Sequence, residues 1–320
     1  MASGIVFVFP GQGSQYVGMG RRIFDAHASV KLLFEEASDV LEKDFKQMCF
    51  EGPETTLVET ENAQPAITLI NLAFLQVLRE EGVSPSAAAG HSLGEYAALC
   101  AAGVFSFADT MRLVNLRGRW MQKAAERHPG GMTVVFGLEV EILAGLCEEV
   151  KDTGCAQVAN HNSSVQVVLT GEKEALQNVA QLAKKKGAKL IVPLKVSGPW
   201  HSRFMAEASE QMRDAFMDCS IASPSFPVLS NVTADVYSWD SEQIREALLT
   251  QMLNPVLWND SIRRFALEGY RLFVEVGPGK VLTGLMRDID RALQILNTED
   301  PEVLSKLRNL ASESPPLTHH

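Results

Sequence analysis

The stretch Ala88-Ala89-Gly90-His91-Ser92-Leu93-Gly94-Glu95-Tyr96-Ala97-Ala98 constrains this chain more than any other. Small residues narrow to Gly-x-Ser-x-Gly and then open into helix-forming residues. A strand that turns sharply into a helix around a serine needs this pattern. The bend brings two backbones together, and a side chain at either glycine would collide. The serine Oγ then stands exposed at the turn, as a nucleophile must. A serine capping a helix N-terminus is the plainer use of the same residue. A base, an oxyanion site and a source of substrate choice therefore have to come from elsewhere in the chain.

The 320 residues allow one large domain, or a large one with a small one. Hydrophobic residues at 46% and charged residues at 21% fit a globular chain, and the net charge of -10 argues against broad nucleic-acid binding. No apolar run is long enough to span a bilayer, and no basic segment followed by a long apolar run opens the chain. Cys49, Cys100, Cys147, Cys155 and Cys219 are scattered without a Cys-x-x-Cys. That usage predicts reduced cytoplasmic thiols, with neither a disulfide frame nor a metal site.

From the N-terminus, Ile5-Val6-Phe7-Val8-Phe9 reads as a buried parallel strand closed by Pro10. The loop Gly11-Gln12-Gly13-Ser14-Gln15 follows, with Gly18 and Gly20 beyond. It fails as a dinucleotide fingerprint because Tyr16 stands where a glycine is needed, and as a phosphate loop because Met19-Gly20 follows Gly18. It suits either a tight strand-to-helix turn or bare N–H groups approaching an oxyanion. Helical patterns fill residues 21–50, and Gln64-Pro65 opens a further, largely buried helix that ends at Gly82. After the elbow, Ser106-Phe107-Ala108-Asp109 resembles a capping box for a helix reaching about Arg127. Leu113, Arg117, Trp120 and Ala124 share one of its faces. An arginine among apolar neighbours needs an acceptor. Snorkelling, a structural ion pair and a bidentate clamp on a carboxylate all meet that need.

Pro129-Gly130-Gly131 marks a break, after which the pattern runs β, α, β, β, α, β up to Val196. This order predicts a small ferredoxin-like (βαββαβ) subdomain over residues 129–196, inserted into a larger α/β domain formed by residues 1–128 and 197–311. Residues 312–320 are expected to be a disordered tail. Lys184-Lys185-Lys186 with Lys189 makes a basic cluster, suited to a solvated helix end or to an acidic partner. His201 follows Ser197-Gly198-Pro199-Trp200 in a loop at the exit of the subdomain, where clefts form. Pro227–Thr233 reads as a strand and turn, Arg271–Val276 as a second apolar strand, and Leu293–Leu296 as a short one.

Ser92 and His201 can serve as nucleophile and base, in the serine-before-histidine order of α/β-hydrolase-like enzymes. No acidic residue stands where a third member would be expected.

The ordered set of motifs resembles the malonyl-CoA:acyl carrier protein transacylase family. It comprises Phe9-Pro10-Gly11-Gln12-Gly13-Ser14-Gln15, Gln64-Pro65-Ala66-Ile67, Gly90–Tyr96, Arg117-Gly118 and Asn160-His161-Asn162-Ser163 with Gln166-Val167-Val168. His201, Ser230-Asn231-Val232-Thr233, Gln251 with Asn254-Pro255-Val256, and Glu275–Gly279 complete it. The resemblance spans residues 5 to about 285.

It implies an α/β-hydrolase-like domain with a parallel central sheet, and a ping-pong transfer of malonyl from malonyl-CoA to the phosphopantetheine thiol of acyl carrier protein in fatty acid synthesis. Ser92 would form the O-malonyl ester, with His201 as base and a backbone carbonyl near Gln251 orienting the imidazole. The N–H groups of Gln12 and Leu93 would hold the oxyanion. Arg117 would clamp the malonyl carboxylate, with Gln64 and Asn162 among the substrate-binding residues. Trp200 departs from the smaller residues or Phe expected there, which predicts little room at the α-carbon and a preference for malonyl over methylmalonyl. No bound cofactor or metal, no nucleic acid or membrane partner, and a monomer are expected. A polyketide-synthase acyltransferase would use the same chemistry, and an acyl-thioester hydrolase the same Ser-His pair. Lys184–Lys186, Lys189, Lys195 and the Arg117–Arg119 region are the candidate docking cations for an acidic carrier protein.

Overall fold

The computed structural model describes residues 4–238 and 240–313. Its centre is a four-stranded parallel sheet in the order β2-β1-β7-β8. The strands are β1 (Ile5–Phe9), β2 (Ala87–Gly90), β7 (Leu272–Glu275) and β8 (Gln294–Asn297). The continuous apolar run of β1 has the physical reason the sequence suggested, since both faces of the sheet are covered. Phe7 and Phe9 join one apolar layer with Ile67, Ile70 and Ala98, whereas Val6 and Val8 join another with Ile262, Phe265 and Met286. The register pairs Phe9 with Gly90 and Val8 with Glu275, so the carboxyl ends of β1, β2 and β7 open onto one place. In open α/β sheets that is where ligands bind. The expected strand at Pro227–Thr233 is reduced to isolated bridges, Val228 beside Ala88 and Leu229 beside Val236.

The helices before the second sheet are α1 (Arg21–Ala26), α2 (Ala28–Leu41), α3 (Phe45–Phe50), α4 (Glu54–Leu57), α5 (Thr60–Glu80), α6 (Gly94–Ala101) and α7 (Phe107–Arg127). Helix α5 begins at Thr60, not at Gln64, and Pro65 lies inside it. A proline there leaves the carbonyl four residues earlier without its N–H donor. That carbonyl belongs to Glu61, and Lys43 Nζ donates to it at 3.0 Å. At α7 the expected cap forms: Ser106 Oγ accepts from Asp109 N at 3.0 Å.

A second, antiparallel sheet has the order β4-β5-β3-β6. Its strands are β3 (Gly131–Phe136), β4 (Ala156–Ser163), β5 (Gln166–Gly171) and β6 (Leu190–Pro193). Helices α8 (Val140–Glu149) and α9 (Lys173–Lys185) cover one face through a small core of Val135, Leu143, Val167 and Leu176. Met132, Val134 and Val168 join the main core. Strand β4 is tied directly to the rest of the chain. His161 N donates to Val256 O, and Val256 N donates to Ala159 O, both at 2.9 Å.

The remaining helices are α10 (Ala206–Met217), α11 (Ser241–Gln251), α12 (Trp258–Leu267), α13 (Val281–Ile289) and α14 (Val303–Glu313). Helix α14 continues through residues 312 and 313, which corrects the start of the expected tail; residues 314–320 lie outside the described residues. No helix among the described residues is long and apolar enough to cross a membrane.

Candidate active site

The elbow forms where β2 gives way to α6. Gly90 and Gly94 are there because nothing larger fits. A Cβ on Gly90 would lie 1.9 Å from the Gly94 carbonyl carbon, and one on Gly94 would lie 1.9 Å from Phe9 O. Ser92 adopts a φ of 51°, in the left-handed region that costs a serine about 1–2 kcal/mol. Asn231, far along the chain, holds the turn: its Oδ1 accepts from Ser92 N at 2.7 Å and its Nδ2 donates to Gly90 O at 2.6 Å.

Ser92 Oγ lies 2.7 Å from His201 Nε2. The other ring nitrogen, Nδ1, faces two backbone carbonyls, Gln251 O at 2.9 Å and Asn254 O at 3.2 Å. A carbonyl only accepts, so Nδ1 carries the proton and Nε2 is left as the acceptor for the serine hydroxyl. Burial first, and then the Arg117 cation, push the imidazole down to about 3, which keeps it neutral and able to accept a proton at Nε2. These two carbonyls occupy the place of the missing acid.

Arg117, on α7, is 1% exposed. Its Nη1 donates to Gln64 Oε1 at 2.9 Å, and its Nη2 to Gln251 Oε1 at 2.8 Å and Ser92 Oγ at 3.2 Å. The guanidinium carbon also lies 5.6 Å from the Tyr96 ring centre. All these acceptors are uncharged, and Nε has no partner. Of the uses open to a covered arginine, snorkelling is ruled out by this burial.

A cavity of about 350 Å³ runs from this cluster to the surface. Gln12, Leu93, Asn162 and Trp200 line it, as do Ser92, His201, Arg117 and Gln64. Gln12 lies in the loop after β1 and Leu93 at the N-cap of α6, and the Gln12 side chain donates to Thr60 Oγ1 at 3.1 Å. The Asn162 amide is engaged, its Oδ1 lying 2.9 Å from His91 Nε2. Trp200 is buried, with its indole N–H unpartnered. Lys195 lines the cavity, whereas Lys184, Lys185 and Lys186 lie exposed at the end of α9. No group of three or more His, Cys, Asp or Glu side chains among the described residues is placed to hold a metal.

The model of the acyl transferase domain family matches residues 6–309. A malonyl CoA-acyl carrier protein transacylase of Bacillus subtilis is 40% identical over 94% of this chain and 95% of its own length. The chain belongs to the malonyl CoA-acyl carrier protein transacylase family. The family's fold is reproduced as well as its sequence. The solved family member from Coxiella burnetii superposes with a TM-score of 0.93 at 35% identity, covering 96% of this chain and 97% of that one. A malonyl-transacylase solved in complex with its type II PKS acyl-carrier protein gives 0.93 at 39% identity, covering 96% and 100%.

Two residues of the site escaped the sequence reading as functional side chains. Asn231 falls within a family motif and Glu95 within the elbow motif, and neither motif by itself points to a function for the side chain. Only the folded chain brings Asn231 to Ser92 across 139 positions and Gln251 to Glu95 across 156.

Proposed function

We propose that this chain transfers malonyl from malonyl-CoA to the phosphopantetheine thiol of acyl carrier protein, through an ester on Ser92. Ser92 Oγ attacks the thioester carbonyl carbon as His201 Nε2 takes its proton. The Gln12 and Leu93 N–H groups stabilise the oxyanion. The carbon–sulfur bond breaks, His201 Nε2 passes its proton to the leaving sulfur, and coenzyme A departs as the thiol. The carrier thiol then gives its proton to Nε2 and attacks the ester, and Ser92 Oγ leaves with that proton. Throughout, the malonyl carboxylate lies on Arg117, while Gln64 and Gln251 hold the guanidinium and Asn162 and Trp200 shape the pocket.

One observation carries the choice of malonyl. A fully buried guanidinium beside Ser92 Oγ has only uncharged acceptors, so a bound carboxylate supplies what the chain withholds. Residues 129–196 are proposed as a ferredoxin-like insert in a domain made of residues 1–128 and 197–311. The strand order β4-β5-β3-β6 and the separate core under α8 and α9 support that division.

Intact-mass measurement tests the proposal. Malonyl-CoA should add one malonyl group, abolished by Ser92→Ala, and holo carrier protein should discharge it. Discharge by water as fast as by the carrier thiol would make this a hydrolase.

A further inference from the structure

Glu95, in the first turn of α6, is fully buried and takes no part in the steps above. Its two oxygens serve different neighbours. Oε1 accepts from Asn231 N at 2.8 Å and from the Tyr237 hydroxyl at 2.7 Å. Oε2 accepts from Gln251 Nε2, which also donates to Ser92 O at 2.8 Å. An amide nitrogen and a backbone N–H can only donate. Both ends of residue 95 must therefore accept, and a carboxylate does this where a glutamine cannot. Either orientation of a glutamine at this position would set its amide nitrogen against Asn231 N or against Gln251 Nε2.

The consequence passes through Gln251. With its nitrogen held between Glu95 and Ser92 O, its Oε1 faces Arg117 Nη2 at 2.8 Å. Reversing that amide would set two donors against each other. We infer that Glu95 is a positioning residue that acts through the Gln251 amide to hold Arg117 where it receives the carboxylate of the acyl donor. The inference rests on the malonyl reading of the site. The Glu95 carboxyl stands at about 7: burial raises it, and Tyr237, Asn231, Gln251 and the Arg117 cation offset part of that rise. An expensive buried acid is thus kept where three donors converge.

Glu95→Gln tests this through two donors: malonyl-CoA in transfer to holo carrier protein, and p-nitrophenyl acetate, whose acyl group carries no carboxylate. The KM for malonyl-CoA should rise about tenfold, as for one misaligned charged hydrogen bond. The malonyl kcat and the acetyl loading rate of Ser92 should stay within about twofold, because the interaction lost is made equally before and during reaction. A wild-type KM overturns the inference, and so does an equal loss with both donors, which would mean that Glu95 only supports the elbow or the base. In a Gln251→Met background the same substitution should add nothing to KM, and a further rise would exclude action through Gln251. Should Glu95→Gln fail to fold, Tyr237→Phe loosens the carboxylate more gently. About a threefold rise in KM is then expected, and no rise refutes the inference. A wild-type enzyme that takes no malonyl onto Ser92 would sink the malonyl reading itself, whereas a normal wild type with an unchanged variant sinks only the role of Glu95.

Discussion

His201 and Arg117 are both buried, and both lie within hydrogen-bond distance of Ser92 Oγ, at 2.7 Å and 3.2 Å. They are satisfied in opposite ways. The imidazole spends Nδ1 on two carbonyls and Nε2 on the serine, so its polar atoms are all matched before any substrate arrives. The guanidinium keeps its full charge against two amide oxygens and a hydroxyl, with Nε unmatched. The nearest carboxylate, Glu95, is reached only through the Gln251 amide, so no anion is hydrogen-bonded directly to the guanidinium. The difference separates two tasks. Under the proposed function, the serine–histidine side would carry the acyl transfer and the arginine side the preference for an acyl group with a carboxylate.

The sharpest way to break that division is Arg117→Ala. The ratio of malonyl to acetyl loading on Ser92 should fall by about 2–5 kcal/mol, as expected when one partner of a buried charge pair is removed. An unchanged ratio would return substrate choice to the cavity walls. Next comes Trp200→Ser, which removes the indole that lines the cavity. Methylmalonyl loading should rise about tenfold, the lower range for fitting one methyl group. No gain would mean that the indole only packs its loop.

The smallest effect expected is none at all, and it concerns the base. His201 is held down to about 3, so acetyl loading should show no acid limb between about pH 5 and pH 8. A limb near the ordinary histidine range would contradict that environment. The sign for stability follows from the same depression. The unfolded chain binds the proton near the ordinary value and the folded chain does not. His201 thus contributes fully above its unfolded value, and the contribution is lost as the pH falls toward about 3.

Much of this was legible in the residues. The glycines of the elbow and the apolar run of β1 follow from spacing and steric demand, which are local; the sequence leaves Arg117 open between snorkelling and burial. What stayed hidden depends on distant partners. Helix α5 starts earlier than Pro65 suggests because Lys43, 18 positions away, satisfies the carbonyl that the proline abandons. The residues around Val228 read as a strand but form only isolated bridges, one beside β2 and one to Val236. A glutamate in the first turn of a helix ordinarily answers the helix dipole at the surface. At Glu95 the donors that make burial tolerable come from Asn231, Tyr237 and Gln251, far along the chain.

The backbone pairing of β4 with Val256 bears on how such enzymes can be recombined. The segment it grips begins two residues after Asn254, whose carbonyl steadies the His201 imidazole. The antiparallel sheet and the alignment of the base are therefore mechanically joined, although β4 and Val256 lie about a hundred positions apart. Anyone grafting that sheet from a relative to alter the pocket should transplant residues 251–256 with it. The natural module boundary is drawn by hydrogen bonds, and it does not coincide with a continuous stretch of gene.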